Sequence, residues 1–322
     1  MSANYALIVE VAGVAILFQS EMEADICHLS TLFKHHLAAN GARAADHVVD
    51  ITTIERSPVP EEAVLAWKGY YHGVGYDGKH ENTLKKYVSQ DKRYEYFDTP
   101  DGGCITIDRE SPHTVCSLMS WKKLFSKKKE RANIGSLVIL LIHIIMARHN
   151  RYTLHASAVA WKGGAIVFAG RSGQGKSTLC TDLTRLGAGF MGDDIVFVYQ
   201  DAGRAMIAPL LFDAKLHIDS QKEKTFVDMA AGSGGESNAA LPLLAVAEIT
   251  QTRQGFSSVA PAANEHRLFD VLLEAANNIA LQYDSTEWLS LCANILEHKR
   301  LYNFSFGDRR LLDVNVLNEF FQ

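Results

Sequence analysis

The sequence predicts a two-domain α/β protein, with a small N-terminal α/β domain at residues 1–130 and a C-terminal phosphate-loop domain with a mixed sheet at residues 131–322. Three observations carry this prediction. A chain of 322 residues holds about two domains, each with room for its own core. Short apolar runs of strand period alternate along it with stretches of helical period. Lastly, Gly170-Arg171-Ser172-Gly173-Gln174-Gly175-Lys176-Ser177 spells G-x-x-x-x-G-K-S between an apolar run, Ala165-Ile166-Val167-Phe168-Ala169, and a helical pattern that starts at Thr178 and Leu179.

In the first domain, residues 6–11 and 14–19 read as strands around Ala12-Gly13, residues 21–39 carry a helical pattern, and residues 47–53 alternate as a strand. From Pro58 to about His113 the text is irregular. Turn signals stand there at Asp77-Gly78 and Pro100-Asp101-Gly102-Gly103, with short strands expected at residues 93–97 and 104–108. The strongest charge run, Trp121-Lys122-Lys123-Leu124-Phe125-Ser126-Lys127-Lys128-Lys129-Glu130-Arg131, falls at the expected boundary and reads as a solvated linker or helix start. Residues 137–147 form the most apolar segment. They are too few for a bilayer, which needs about 20, and read as a buried helix.

In the second domain an apolar strand at residues 195–199 is followed by a turn at Asp201-Ala202-Gly203. Residues 230–238, with Gly232-Ser233-Gly234-Gly235, lack an apolar period and read as a mobile loop, a type that can serve as a lid. Residues 241–250 read as a buried strand, and residues 265–283 as a helix whose apolar face carries Leu268, Val271, Leu272, Ala275 and Ile279. Asp284-Ser285-Thr286-Glu287 marks the start of another helix, and the chain closes with a strand at residues 301–306 and a helix through Leu311, Leu312, Val314, Leu317 and Phe320.

Composition narrows the function classes. A formal net charge of −5 gives no general attraction to nucleic acid or to anionic membrane, so neither is expected as a partner. Five scattered cysteines without a C-x-x-C pair argue against zinc or a disulfide framework and fit a reducing cytoplasm. Residues 1–5 carry no basic n-region and Glu10 interrupts the apolar stretch behind them, so a signal peptide is not expected.

The phosphate-loop chemistry needs each residue type where it stands. Glycines at Gly170, Gly173 and Gly175 let the backbone fold tightly, so that the N–H groups of Arg171, Ser172, Gln174 and their neighbours point at phosphate oxygens. The following helix, through Thr178, adds the positive end of its dipole. Lys176 reaches the β/γ-phosphates, and the Ser177 hydroxyl is placed to ligate Mg²⁺.

Two features depart from the common parallel-sheet ATPase. Upstream, residues 153–160 and 165–170 are joined only by Trp161-Lys162-Gly163-Gly164, which implies an antiparallel hairpin. Centring the turn between Lys162 and Gly163 places His155 opposite Gly170, at the mouth of the loop. Downstream, Met191-Gly192-Asp193-Asp194 precedes an apolar strand instead of ending one. Adjacent carboxylates near a bound Mg²⁺ can divide the labour, one holding metal or water and the other accepting the proton of an attacking hydroxyl. Read alone, the pair equally fits a plain turn.

Together, His155-Ala156-Ser157-Ala158-Val159, the loop GRSGQGKST, and Arg185-Leu186-Gly187-Ala188-Gly189-Phe190-Met191-Gly192-Asp193-Asp194 resemble the catalytic core of the HPr kinase/phosphorylase family, over about residues 154–198. The resemblance implies a fold shared with ATP-dependent phosphoenolpyruvate carboxykinases, ATP and Mg²⁺ as cofactors, and a serine-bearing peptide or protein as acceptor. It implies nucleotide-phosphate binding by residues 170–178, Mg²⁺ ligation by Ser177 and Asp193, Asp194 as the proton acceptor, and His155 and Asp193 in its support beside Lys176. It also leaves a homo-oligomer open. Where bifunctional members carry an Arg-Gly-Leu-Gly-Ile-Ile-Asp-type segment, this chain reads Met206-Ile207-Ala208-Pro209-Leu210-Leu211-Phe212-Asp213-Ala214-Lys215-Leu216, which is closer to the kinase-only relatives. A small-molecule kinase and a non-catalytic ATP-dependent module are the alternatives.

Overall fold

The computed structural model describes residues 5–38, 44–54, 57–69, 84–99, 103–118, 131–171, 173–210, 214–217, 224–227, 239–252, 255–262, 266–276, 286–298 and 301–321. Several sequence expectations therefore lie outside the described residues: Ser172, the basic run at 121–130, the turns at 77–78 and 100–102, the loop at 230–238, and residues 277–285. The chain divides into two compact units, Met1–His149 and Asn150–Gln322.

The first unit contains β1 (Tyr5–Val11), β2 (Val14–Ser20), α1 (Glu23–Leu32), β3 (His47–Thr53), β4 (Val64–Gly69), β5 (Leu84–Val88), β6 (Tyr94–Asp98), β7 (Gly103–Asp108), β8 (His113–Leu118) and α2 (Arg131–Arg148). One eight-stranded sheet runs β1-β2-β3-β8-β7-β6-β5-β4, parallel at β2–β3 and β3–β8 and antiparallel elsewhere. The expected strand at residues 47–53 is β3. The helix expected over 21–39 stops at Phe33, because the residues beyond it pair with β1: Glu10 N–H donates to the His36 carbonyl at 2.7 Å and Ala38 N–H to that of Ile8 at 3.1 Å. The stretch after Pro58 holds more strand than its text suggested, β4 and β5 among them. α2 buries Leu137, Leu140, Leu141, Ile142, Ile145 and Met146 as expected, and no helix among the described residues is long and apolar enough to cross a membrane.

The second unit contains β9 (Tyr152–Leu154), β10 (Ser157–Trp161), β11 (Gly164–Ala169), α3 (Lys176–Arg185), β12 (Gly189–Gly192), β13 (Val196–Asp201), β14 (Arg204–Pro209), β15 (Ala214–His217), β16 (Lys224–Val227), β17 (Leu241–Gln251), β18 (Ser258–Pro261), α4 (His266–Ala276), α5 (Thr286–His298) and β19 (Leu301–Phe306). The closing helix expected from the sequence is two 3-10 segments, Arg309–Leu311 and Val314–Phe321. Its mixed sheet runs β12-β10-β11-β17-β14-β13-β9, with β19 also beside β17 and β18 beyond it. β11, β17 and β19 are parallel, while β10 is antiparallel to β11.

Strand alternation splits the core of this unit. Val167 and Val246 face the layer formed by α4 and α5, whereas Phe168 and Ala247 face α3 and the C-terminal 3-10 segment. Helices thus cover both faces of the central strands, and all three parallel strands lead to loops at one edge of the sheet.

Candidate functional site

β11 ends at Ala169 and α3 begins at Lys176, so the glycine-rich residues form a strand-to-helix loop. Gly170, Gly173 and Gly175 adopt φ of +142°, +86° and +94°. At Gly175 a Cβ would lie 3.3 Å from the Phe306 ring, and at Gly170 it would overlap the Gln174 side chain. The two positions demand glycine by backbone conformation and by space. Gly175 is also the N-cap of α3 and brings no side-chain cap, which leaves the first helical N–H groups directed at whatever occupies the loop.

Lys176 is buried at 6% relative exposure, and its ammonium donates to the Gly170 carbonyl at 2.7 Å and that of Arg171 at 3.3 Å. Gln174 Oε1 accepts from Arg171 N–H at 2.6 Å. Burial pushes the Lys176 pKa below the usual lysine range, while the charges of Asp194 and then Asp193 pull it back up. Both aspartates therefore stand close enough to the loop lysine for their fields to be felt. Ser177 and Thr178 lie in the first turn of α3, half-buried. The Ser177 carbonyl accepts from Thr181 Oγ1 at 2.8 Å, which ties that turn to the next.

The hairpin register is the one the turn implied, Ser157 opposite Phe168 through Trp161 opposite Gly164. Its extension to His155 is corrected by the structure. The ladder ends at Ser157, because the chain kinks at 155–156, where Ala156 N–H donates to the Leu154 carbonyl at 3.0 Å. Upstream of that kink, β9 leaves for β13, pairing Leu154 with Val196. His155 is thereby set across from the turn ahead of β13 and not opposite Gly170 by strand pairing. Its Nε2 lies 3.2 Å from Asp194 Oδ1.

Asp193 and Asp194 sit between β12 and β13. Asp193 Oδ1 accepts from Ser157 Oγ at 2.9 Å, so β10 fixes one carboxylate while the end of β9 contacts the other. Asp194 adopts φ of +75°, a left-handed conformation that aspartate accepts more readily than most residues with a side chain. Its carboxylate stays largely exposed, in reach of an incoming group.

Thus Lys176, Asp193, Asp194 and His155 gather at the mouth of the loop, with Gly170, Arg171, Gly173, Gln174, Gly175, Ser177 and Thr178 forming the loop and helix start. Ser157 was missed by sequence reasoning, since serine in an apolar strand signals nothing until its partner is known. Glu248, a single carboxylate in the apolar run of β17, is paired with Arg267 and not with these residues. It is the Cα partner of Ala169 on the neighbouring strand.

No family model matches the chain, and no curated protein matches it. Among solved structures, the Hpr(Ser) kinase/phosphatase from Coxiella burnetii matches over 52% of this chain and 91% of its own, at 14% identity and a TM-score of 0.30.

Proposed function

We propose that the second unit binds ATP with Mg²⁺ and transfers the γ-phosphoryl group to a serine-type hydroxyl on a peptide or protein. The observation that carries this reading is the grouping of Lys176 inside its glycine loop with the Asp194 carboxylate, itself 3.2 Å from His155 Nε2. A loop that only bound a nucleotide would not need an exposed carboxylate and its histidine partner beside it.

The residues fit the nucleotide. The loop N–H groups and the start of α3 would hold phosphate oxygens, and the Lys176 ammonium would exchange the Gly170 and Arg171 carbonyls for the β/γ-phosphates. Ser177 and Asp193 supply the hydroxyl and carboxylate that would hold Mg²⁺, an ion that commonly takes one or two protein oxygens and completes its shell with phosphate and water. When bound, the metal would neutralise charge on the phosphates.

Asp194 would accept the proton of the acceptor hydroxyl as its oxygen bonds to the γ-phosphorus and ADP leaves. His155 would orient that carboxylate, and Ser157, by holding Asp193, would keep the two acidic roles apart. Most of the rate would come from positioning and charge neutralisation.

The test is incubation with γ-labelled ATP, Mg²⁺ and a cell extract, comparing the wild type with Asp194→Asn. Asparagine tolerates positive φ, so the turn survives. Label should pass to a polypeptide with the wild type and not with D194N, while ATP affinity stays within about threefold, the uniform binding being untouched. Transfer by D194N would overturn the assignment of the base. Label on a metabolite would make the protein a small-molecule kinase, and saturable binding with no transfer would make it a nucleotide-dependent binding module.

A further inference from the structure

Resting on the proposed function, we infer that Gln174 is the positioning residue of the phosphate loop, its side-chain carboxamide bracing the loop in the shape that holds the nucleotide phosphates. The composition of the loop creates the need. Gly170, Gly173 and Gly175 all lie between the end of β11 and the start of α3, and glycine gives up more conformational freedom on ordering than any other residue. A loop left to its glycines would be ordered by the nucleotide itself, at a cost taken from the affinity.

Gln174 is tied to Arg171 at two points. Its Oε1 accepts from the Arg171 N–H at 2.6 Å, and its own N–H donates to the Arg171 carbonyl at 3.3 Å. The side chain thus closes a ring on the backbone of residues 171–174. That same Arg171 carbonyl accepts from the Lys176 ammonium at 3.3 Å, and the Gly170 carbonyl beside it accepts at 2.7 Å. Fixing Arg171 therefore fixes the seat of the ammonium. The available space agrees, since a Cβ on Gly170 would lie 2.4 Å from Gln174 Oε1 and 3.5 Å from its Cδ. A side chain at the loop's first position would take the room that the carboxamide fills.

A carboxamide oxygen in an anion-binding loop can act in two ways, and their signs are opposite. As a stand-in for a phosphate oxygen it would compete with the nucleotide, so its removal would tighten binding. As a brace it would preorganise the loop, so its removal would weaken binding. The geometry points to the brace. The oxygen is bonded at the strand end of the loop, on Arg171, whereas the N–H groups directed at an occupant are those at the start of α3, at the other end.

The experiment needs no acceptor. Calorimetric affinities for Mg·ATP and for inorganic tripolyphosphate with Mg²⁺ are measured for the wild type and Gln174→Met, which keeps the length of the side chain and loses the acceptor. Both ligands should weaken by one common factor of about fivefold, the size of a single uncharged hydrogen bond. Amide exchange at Gly173, Gly175 and Lys176 in the free protein should quicken in Gln174→Met and stay at the wild-type rate in Gln174→Glu, which retains an acceptor oxygen at the same reach. The melting temperature of both variants should stay within about 2 °C of the wild type, as for a surface substitution. Tighter or unchanged binding by Gln174→Met overturns the inference. So does a loss confined to ATP, which would place Gln174 at the base, and so does weakening without faster exchange, which would make it a direct phosphate contact. All of these leave the proposed function standing, whereas a wild type that binds neither ligand overturns both.

Discussion

Lys176 illustrates how a single residue can be retained against the interest of the fold. Burial makes its charge expensive, as the downward push on its pKa records, and its partners in the structure are two backbone carbonyls of the loop. Methionine matches much of its length and apolar bulk without the charge. Lys176→Met should therefore melt no lower than the wild type, yet bind ATP at least about tenfold more weakly through loss of a charge-assisted contact. Calorimetry and a thermal scan on the same samples check this, and a large loss of stability with unchanged ATP affinity would assign Lys176 a structural role. Of the site residues, the loop and the paired aspartates were legible because their chemistry is written in adjacent letters. The contact between His155 and Asp194 was only half legible. Counting along the hairpin brought the imidazole to the right neighbourhood, but by a ladder that ends two residues too early. The kink that redirects it depends on β13, whose pairing no local pattern reveals.

At the scale of elements, three two-residue hairpins among the described residues were the clearest text. Ala12-Gly13, Lys162-Gly163 and Ala202-Gly203 join β1–β2, β10–β11 and β13–β14, and both central residues of each have positive φ. Glycine in the second position is what betrayed them. The first position is in each case poorly chosen for a left-handed conformation, with φ of +48°, +48° and +44°. Asparagine suits such positions, so Ala12→Asn, Lys162→Asn and Ala202→Asn should each raise stability by about 0.5–1 kcal/mol, additively because the turns are separate. Chemical denaturation of the single and combined variants measures this, and a combined variant no more stable than the wild type would contradict it. Other elements were illegible for reasons equally physical. β5 carries Lys85 and Lys86 on a half-buried surface, where the Lys86 charge is held in an ion pair with Glu95 at 2.8 Å, so its apolar period is broken. β12 has only four residues, two of them glycine, and exists because β10 offers it an edge. The helical pattern after Phe33 was overruled by pairing with β1, a tertiary preference that outweighs local propensity.

At the scale of the whole molecule, the first unit carries a liability to acid. His36, His47 and His143 are all buried there, and burial lowers their pKa values to about 4, 3 and 3. Around His47 the charges of Arg148, His149 and His113 add to the effect, and its Nε2 is engaged with Thr114 Oγ1 at 2.9 Å. For His36, the Glu10 carbonyl opposes the effect of burial, at 3.1 Å from Nδ1, without reversing it. Each folded value is below the unfolded one, so these histidines favour the native state fully above about pH 6.5. That contribution is lost progressively as the pH falls toward 4 and 3, where the unfolded chain binds protons the native unit refuses. Asp25, whose carboxyl is pushed up by burial, works the other way, its contribution present at low pH and fading as the pH rises through its folded pKa. Asp98, whose carboxyl burial also pushes up, acts with Asp25, whereas Glu95, held below its ordinary range by Lys86 and Arg109 against its burial, acts with the histidines. Hydrogen exchange of β2, β3 and β8 amides in the full chain should thus show protection falling steadily between pH 7 and about 4, after correction for the intrinsic exchange rate. His47→Gln, which retains a polar partner for Thr114 without a titrating ring, should flatten part of that slope. Protection unchanged down to pH 4, or a slope identical in His47→Gln, would mean that the histidines find protonated states inside the fold that their burial says they lack.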